Sequence, residues 1–278
     1  MMKNAVFCIM LLGLLPVKKQ PHASEWQTLA PGMELKQVAA QKPAAIGDSR
    51  LTILRIDPRK WDLVFAGISQ TGGADGKTAR QWCAAQQFAA AINAGMFDDD
   101  YSTHVGYLKA REHINSSQVN EYQSVAAFGA RLDSLPPFRI FDLDEPGVRI
   151  ETIRNDYALV VQNLRLIKRP GLNRWSQTQR KWSEAALGED AAGRILFIFV
   201  RSPFTMHDLN AELLAVGIDL VAAQHLEGGP EAQLYLQAGG IQMELFGSYE
   251  TGFRGDDRNL TPWPIPNVIG VRQKPAAR

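Results

Sequence analysis

The sequence predicts an α+β fold: a single domain with a mixed, sheet-rich core flanked by a few helices. Three observations predict it. Short runs of alternating or continuous apolar residues outnumber helical patterns. Only two segments carry a helix start signal, Thr78 ahead of "ARQWCAAQQFA" and the Thr205-x-x-Asp208 pattern. No internal repeat or low-complexity linker divides the 278 residues, of which 45% are hydrophobic and 21% charged. That is an ordinary globular balance, and a chain of this length buries enough apolar surface to fold without disulfides.

At the N-terminus, Lys3 precedes an apolar run of 11 residues over 5–15, and the small residues Ala23 and Ser24 follow. This is the pattern of a secretory signal peptide, and the run is too short to span a bilayer. Lys18 and Lys19, between the run and the cut, are irregular and leave an uncleaved signal anchor as the alternative. The chain therefore divides into a signal peptide over 1–24, an N-terminal extension over 25–47 and the domain over 48–278. It is expected to be exported, periplasmic or secreted, with no stable membrane span after cleavage. Cys8 leaves with the leader, so Cys83 has no intramolecular partner and reads as a small core residue.

In the domain, "RLTILRID" and "WDLVFAGIS" alternate apolar and polar residues and read as strands. The intervening Asp57-Pro58-Arg59-Lys60 suits a hairpin connection. The helix capped by Thr78 leads into "AAINAGMF", a short buried strand entering a glycine turn. Strands are expected after Gly106, over "SVAAFGARL" and "FRIFDLD" on either side of Pro136-Pro137, and over "YALVVQNLRLI". A basic, aromatic loop then enters "SEAALGED". The wholly apolar "RILFIFV" reads as a strand buried on both faces. After the helix that starts at Thr205 and ends near Gly217 come the strands "IDLVAAQH" and, last, "PNVIGVR".

With 30 basic and 29 acidic side chains and no block of like charge, the chain lacks the basic face a nucleic acid needs. It has no Cys/His zinc spacing, HExxH or phosphate-loop motif, and no metal site or cofactor is expected. Chemistry concentrates in "HLEGGPEAQLYL", where Glu227 and Glu231 bracket the turn Gly228-Gly229-Pro230 at a strand end. Two close carboxylates push their pKa values apart, so that one stays protonated while the other is ionised, as glycosidic cleavage requires. The same residues also suit a solvated turn. The two glycines would let backbone approach a substrate and offer N–H groups to an anion. Asn93 can donate to and accept from sugar hydroxyls, and Gly95 allows close approach of a ligand. Arg180 can hold a phosphate as a fork, and Trp182 can stack on a sugar face. Asp98, Asp99 and Asp100 read as a solvated loop, and His104 and His207 are candidates by type alone.

Together, "AAINAGMF" with the later "VGYL", "YALVVQNLRLI", "SEAALGEDAAGRILFIFV", the Thr205 helix, "HLEGGPEAQLYL" and "IPNVIGV" resemble, in order, the phosphodiester glycosidase family over about residues 48–272. The resemblance implies a mixed α+β fold and cleavage of a sugar from a phosphodiester, leaving a phosphomonoester. It implies a carbohydrate or sugar-phosphodiester partner and no organic cofactor. Two departures mark a divergent subgroup. The family's usual Asp-Gly-Gly-x-Ser becomes Glu227-Gly228-Gly229-Pro230-Glu231, and Glu184 stands about where the family often has arginine. The expectation is a hydrolase with Glu227 and Glu231 as catalytic acids and Asn93, Gly95, Arg180, Gly228 and Gly229 around the substrate. The alternative is a non-catalytic glycan-binding protein of the cell envelope on the same fold.

Overall fold

The computed structural model describes residues 25–73 and 75–275, which form three sheets and a few short helices. The leader segment 1–24 lies outside the described residues. Every strand pairing among the described residues is antiparallel.

The largest sheet has eight strands in the order Gln27–Ala30, Met33–Ala39, Arg50–Ile56, Ile195–Phe204, Trp182–Asp190, Leu220–Gly228, Arg165–Lys168 and Leu172–Asn173. Ile195–Phe204 is apolar throughout because it lies inside this sheet with a core on each face. Ile195, Phe197 and Phe199 enter the central core, and Leu196, Ile198 and Val200 pack toward helix Met206–Ala215. Each such side chain stabilises the fold by about 1.5–3 kcal/mol on burial.

A second sheet runs Ile241–Phe246, Gln233–Ala238, Ala90–Asn93, Asn267–Gln273 and Trp61–Gly67. Its outer face is covered by helix Ala79–Gln86 through Trp82 and Cys83. The Thr78 side chain accepts from Gln81 N–H, and the Gln81 side chain accepts from Thr78 N–H, completing the capping box. Cys83 is a buried core thiol whose pKa burial pushes up to about 12. The third sheet runs His113–Ser116, Leu108–Ala110, Tyr157–Asn163, Ser124–Ala130 and Phe138–Asp142. One cluster containing Leu54, Ile92, Val161, Phe197 and Leu226 joins all three sheets, so the architecture is sheet-rich α+β around a shared core.

Some local expectations change. Asp57–Lys60 does form a turn, with Lys60 N–H donating to Asp57 O at 3.0 Å, but the flanking strands enter different sheets and make no hairpin. "YALVVQNLRLI" is two strands, Tyr157–Asn163 and Arg165–Lys168, which also belong to different sheets. The chain changes sheet at Leu164, whose carbonyl accepts from His225 N–H at 2.8 Å. Helix Ile150–Asp156 has no strong start signal; it forms because Ile150 and Ile153 cover the third sheet. The segment 25–47, set apart above as an extension, supplies two strands to the largest sheet and buries Leu29, Met33 and Leu35 in the central core.

Candidate active site

Strand Leu220–Gly228 brings the chemistry to one end of the largest sheet. Its register against Trp182–Asp190 pairs Ala186 with His225 but Ala185 with Glu227. Leu226 is therefore the extra residue of a bulge, a device that re-aims side chains at a sheet end. The chain stays extended through Gly228, then turns at Gly229, whose φ of +62° is in the left-handed region. Pro230 follows inside the short 3-10 turn Gly229–Glu231, where its missing N–H costs little. A Cβ on Gly229 would sit 2.6 Å from the Glu250 carboxylate, so glycine also lets Glu250 close over the turn.

Four carboxylates gather here: Glu184, Glu227, Glu231 and Glu250. Glu227 is half-buried, and its Oε1 accepts from Gly228 N–H at 3.0 Å. Burial pushes its pKa up to about 8; the charges of Glu231 and Glu184 act the same way, while His225 and the Gly228 N–H oppose them. Burial also raises the Glu231 pKa, with Glu250 adding to the rise. Glu184 is fully buried and accepts two hydrogen bonds, from the Trp182 indole N–H at 2.7 Å and from His225 Nδ1 at 2.7 Å. Burial alone would discharge His225, but the Glu184 carboxylate outweighs it and, with Glu227 and Glu250, raises its pKa. The Trp182 ring stands edge-on to the imidazole at 6.2 Å.

The other candidates fall around this cluster. Asn93 ends its strand beside the turn: its Nδ2 donates to Glu231 O at 2.9 Å, and its Oδ1 accepts from Gln233 N–H at 2.7 Å. Its amide is thus engaged with backbone, and Asn93 fixes the turn that carries Glu231. Gly95 permits a close approach, but of protein: a Cβ there would lie 2.3 Å from His104 Cε1 and 2.5 Å from Asn163 Oδ1. The Gly228 N–H faces Glu227's own carboxylate. Arg180 is exposed on the stretch leading to Trp182, where the neighbouring Lys181 N–H donates to Thr251 Oγ1 at 2.9 Å. Trp182 holds Glu184 with its N–H, and its Cδ1 would be 2.8 Å from a Cβ on Gly228. Asp100 caps its own loop by accepting from Ser102 and Thr103 N–H, which, with the Thr103 hydroxyl, lowers its pKa. His207 is exposed beside Asp208.

Sequence reasoning missed Glu184, His225 and Glu250 as a group. The available signal was a charged or titratable residue inside each of two otherwise buried apolar strands, "SEAALG" and "LVAAQHL", because a buried charge needs a partner. Among the described residues, no group of three or more His, Cys, Asp or Glu is arranged to hold a metal ion.

This arrangement can supply a proton near neutral pH from Glu227, a second carboxylate four residues on, and a cationic imidazole between them and Glu184. The structure is similar to the catalytic domain of zebrafish N-acetylglucosamine-1-phosphodiester alpha-N-acetylglucosaminidase, auto-inhibited by its pro-peptide. The TM-score is 0.62 at 14% identity, over 90% of this chain and 88% of that one. It is also similar to a hypothetical protein from Synechocystis, with a TM-score of 0.56 at 14% identity over 87% of this chain and 62% of that one. No curated protein matches the sequence. The model of the family described as phosphodiester glycosidase matches residues 86–272, well over half of the sequence and including every residue of the carboxylate cluster. The chain belongs to the phosphodiester glycosidase family.

Proposed function

We propose that this protein is an exported hydrolase that cleaves a sugar from a sugar phosphodiester or a related glycan, with Glu227 and Glu231 as its catalytic acids. The observation that carries the reading is that Glu227 keeps its proton to about pH 8 while Glu231 lies just across the Gly-Gly-Pro turn. In the reaction, the bond from the sugar's anomeric carbon to the phosphate oxygen breaks. Glu227 gives its proton to the leaving oxygen, a water oxygen joins the anomeric carbon, and Glu231 takes that water's proton. The products are a free sugar and a phosphomonoester. An anionic substrate is tolerated beside four carboxylates because Glu227 is neutral and His225 is positive. Arg180 and Lys181, at the entry to Trp182, are the cations placed to receive the phosphate. Asn93 and Gly95 act by shaping the wall around the turn. Export rests on the leader-like pattern over 1–24, and no helix among the described residues is long and apolar enough to cross a membrane.

The test is release of phosphomonoester from a panel of sugar-1-phosphodiesters by the purified protein. Glu227→Gln keeps the shape and the Gly228 contact but not the proton, and turnover should fall by about 10²-fold or more. Undiminished turnover in the folded variant removes Glu227 from the chemistry. Glycan binding with no release from any substrate supports the envelope-binding alternative instead.

A further inference from the structure

We infer that Trp182, Glu184 and His225 form a positioning unit that fixes the imidazole beside Glu227 and sets the pH at which Glu227 gives up its proton. The inference rests on the role proposed above for Glu227 but concerns residues that role does not use. Its basis is a chain of contacts. The Trp182 indole N–H donates to one Glu184 oxygen at 2.7 Å, and the other accepts from His225 Nδ1 at 2.7 Å. Glu184 and His225 are both buried, so neither swings to water. Two hydrogen bonds and an edge-on aromatic contact leave the imidazole essentially one orientation.

Such a unit is costly to bury. A His–Glu pair in a sheet interior gains little stability over an apolar pair of the same volume. Here it lies on the strand that carries Glu227, two residues away across the bulge, and its charge acts on that carboxyl. The titratable groups facing His225 are Glu184 from the neighbouring strand, Glu227 from its own strand and Glu250 from the segment after Ile241–Phe246. All are acids, so His225 is the cation of this cluster. It restrains a rise in Glu227 that burial and the other carboxylates would otherwise carry further, and so keeps Glu227 able both to lose and to regain a proton at working pH.

The test is a titration of the Glu227 side-chain carboxyl by carbon-13 NMR in the purified protein, with the signal assigned by its loss in Glu227→Gln. In His225→Gln, which removes the charge and keeps a hydrogen-bonding group for Glu184, the midpoint should rise by about one unit or more. Glu184→Gln should move it the same way by discharging His225. If His225→Gln does not fold, the doubly neutral H225Q/E184Q protein gives the same reading. A Glu227 midpoint that stays put in a folded variant overturns the inference. Where substrate turnover is measured, the basic limb of kcat/KM should follow the NMR midpoint, whereas a purely structural role would lower activity at every pH alike. If no sugar phosphodiester is cleaved but the midpoint moves, the proposed reaction fails and the coupling stands.

Discussion

The Asn93 side chain is clamped between Glu231 and Gln233, donating to one carbonyl at 2.9 Å and accepting from one N–H at 2.7 Å. It ties the edge of the second sheet to the turn that carries a candidate catalytic acid. Asn93→Ala leaves a buried carbonyl and a buried N–H unpaired, at a cost of about 1–3 kcal/mol each. In a domain of this size each kcal/mol lowers Tm by about 2–4 °C. Asn93→Asp keeps the acceptor but loses the donor, so it should be intermediate in thermal unfolding. Equal melting of Asn93→Ala and the unmodified protein would show that the clamp contributes nothing.

Gly95 and Gly255 give a matched pair. A methyl on Gly95 meets His104 and Asn163 at distances no Cβ tolerates, while one on Gly255 meets nothing within 4 Å. Gly95→Ala should destabilise by about 1–3 kcal/mol, as overpacking does. Gly255→Ala should stay within about 0.5 kcal/mol. Urea unfolding of the two variants checks this, and similar midpoints would count against the crowding at Gly95.

Much of the fold was legible because its signals are local. Thr78 and Thr205 mark helix starts by their own hydroxyls, and the apolar run around Phe197 admits no exposed face. Sheet membership was not legible at Asp57–Lys60 or at Leu164, because a turn does not record which partner the next strand will find. The carboxylate turn was readable from Gly-Gly-Pro. Its support was not: Glu184 and His225 are 41 residues apart in the chain and meet only through strand register. The role of Asn93 was misread for the same reason, since an amide suits a sugar hydroxyl and a backbone equally well, and only the approach of Gln233 decides.

His104 should make the protein acid-sensitive. It is fully buried, its Nε2–H donates to Gln162 O at 2.7 Å, and its Nδ1 has no partner among the described residues. Burial lowers its pKa from 6.5 to about 4. The unfolded chain therefore binds a proton between those values that the folded chain refuses, so stability is intact above pH 6.5 and falls as pH drops toward 4. The slope from this one group approaches about 1.4 kcal/mol per pH unit. His104→Gln keeps a donor to Gln162, and its stability should vary less over that window. Parallel pH–stability curves for the two proteins would rule His104 out as the cause.

Glu227 has the opposite sign. Its folded pKa of about 8 lies above the 4.5 of an unperturbed glutamate. Between those values the folded protein holds a proton that the unfolded chain has released. Stability from this group is therefore full below about pH 4.5 and is lost as pH rises through about 8, again at up to about 1.4 kcal/mol per unit. Glu227→Gln cannot ionise, and its Oε1 can still accept from Gly228 N–H. The variant should match or trail the unmodified protein at pH 5 and exceed it at pH 9, while turnover is lost throughout. Gain of stability with loss of activity is what a group held in an unfavourable state for chemistry should give. Urea midpoints at pH 5, 7 and 9 read the crossing directly. A difference that does not change with pH would mean that Glu227 is ionised at neutral pH and cannot be the proton donor.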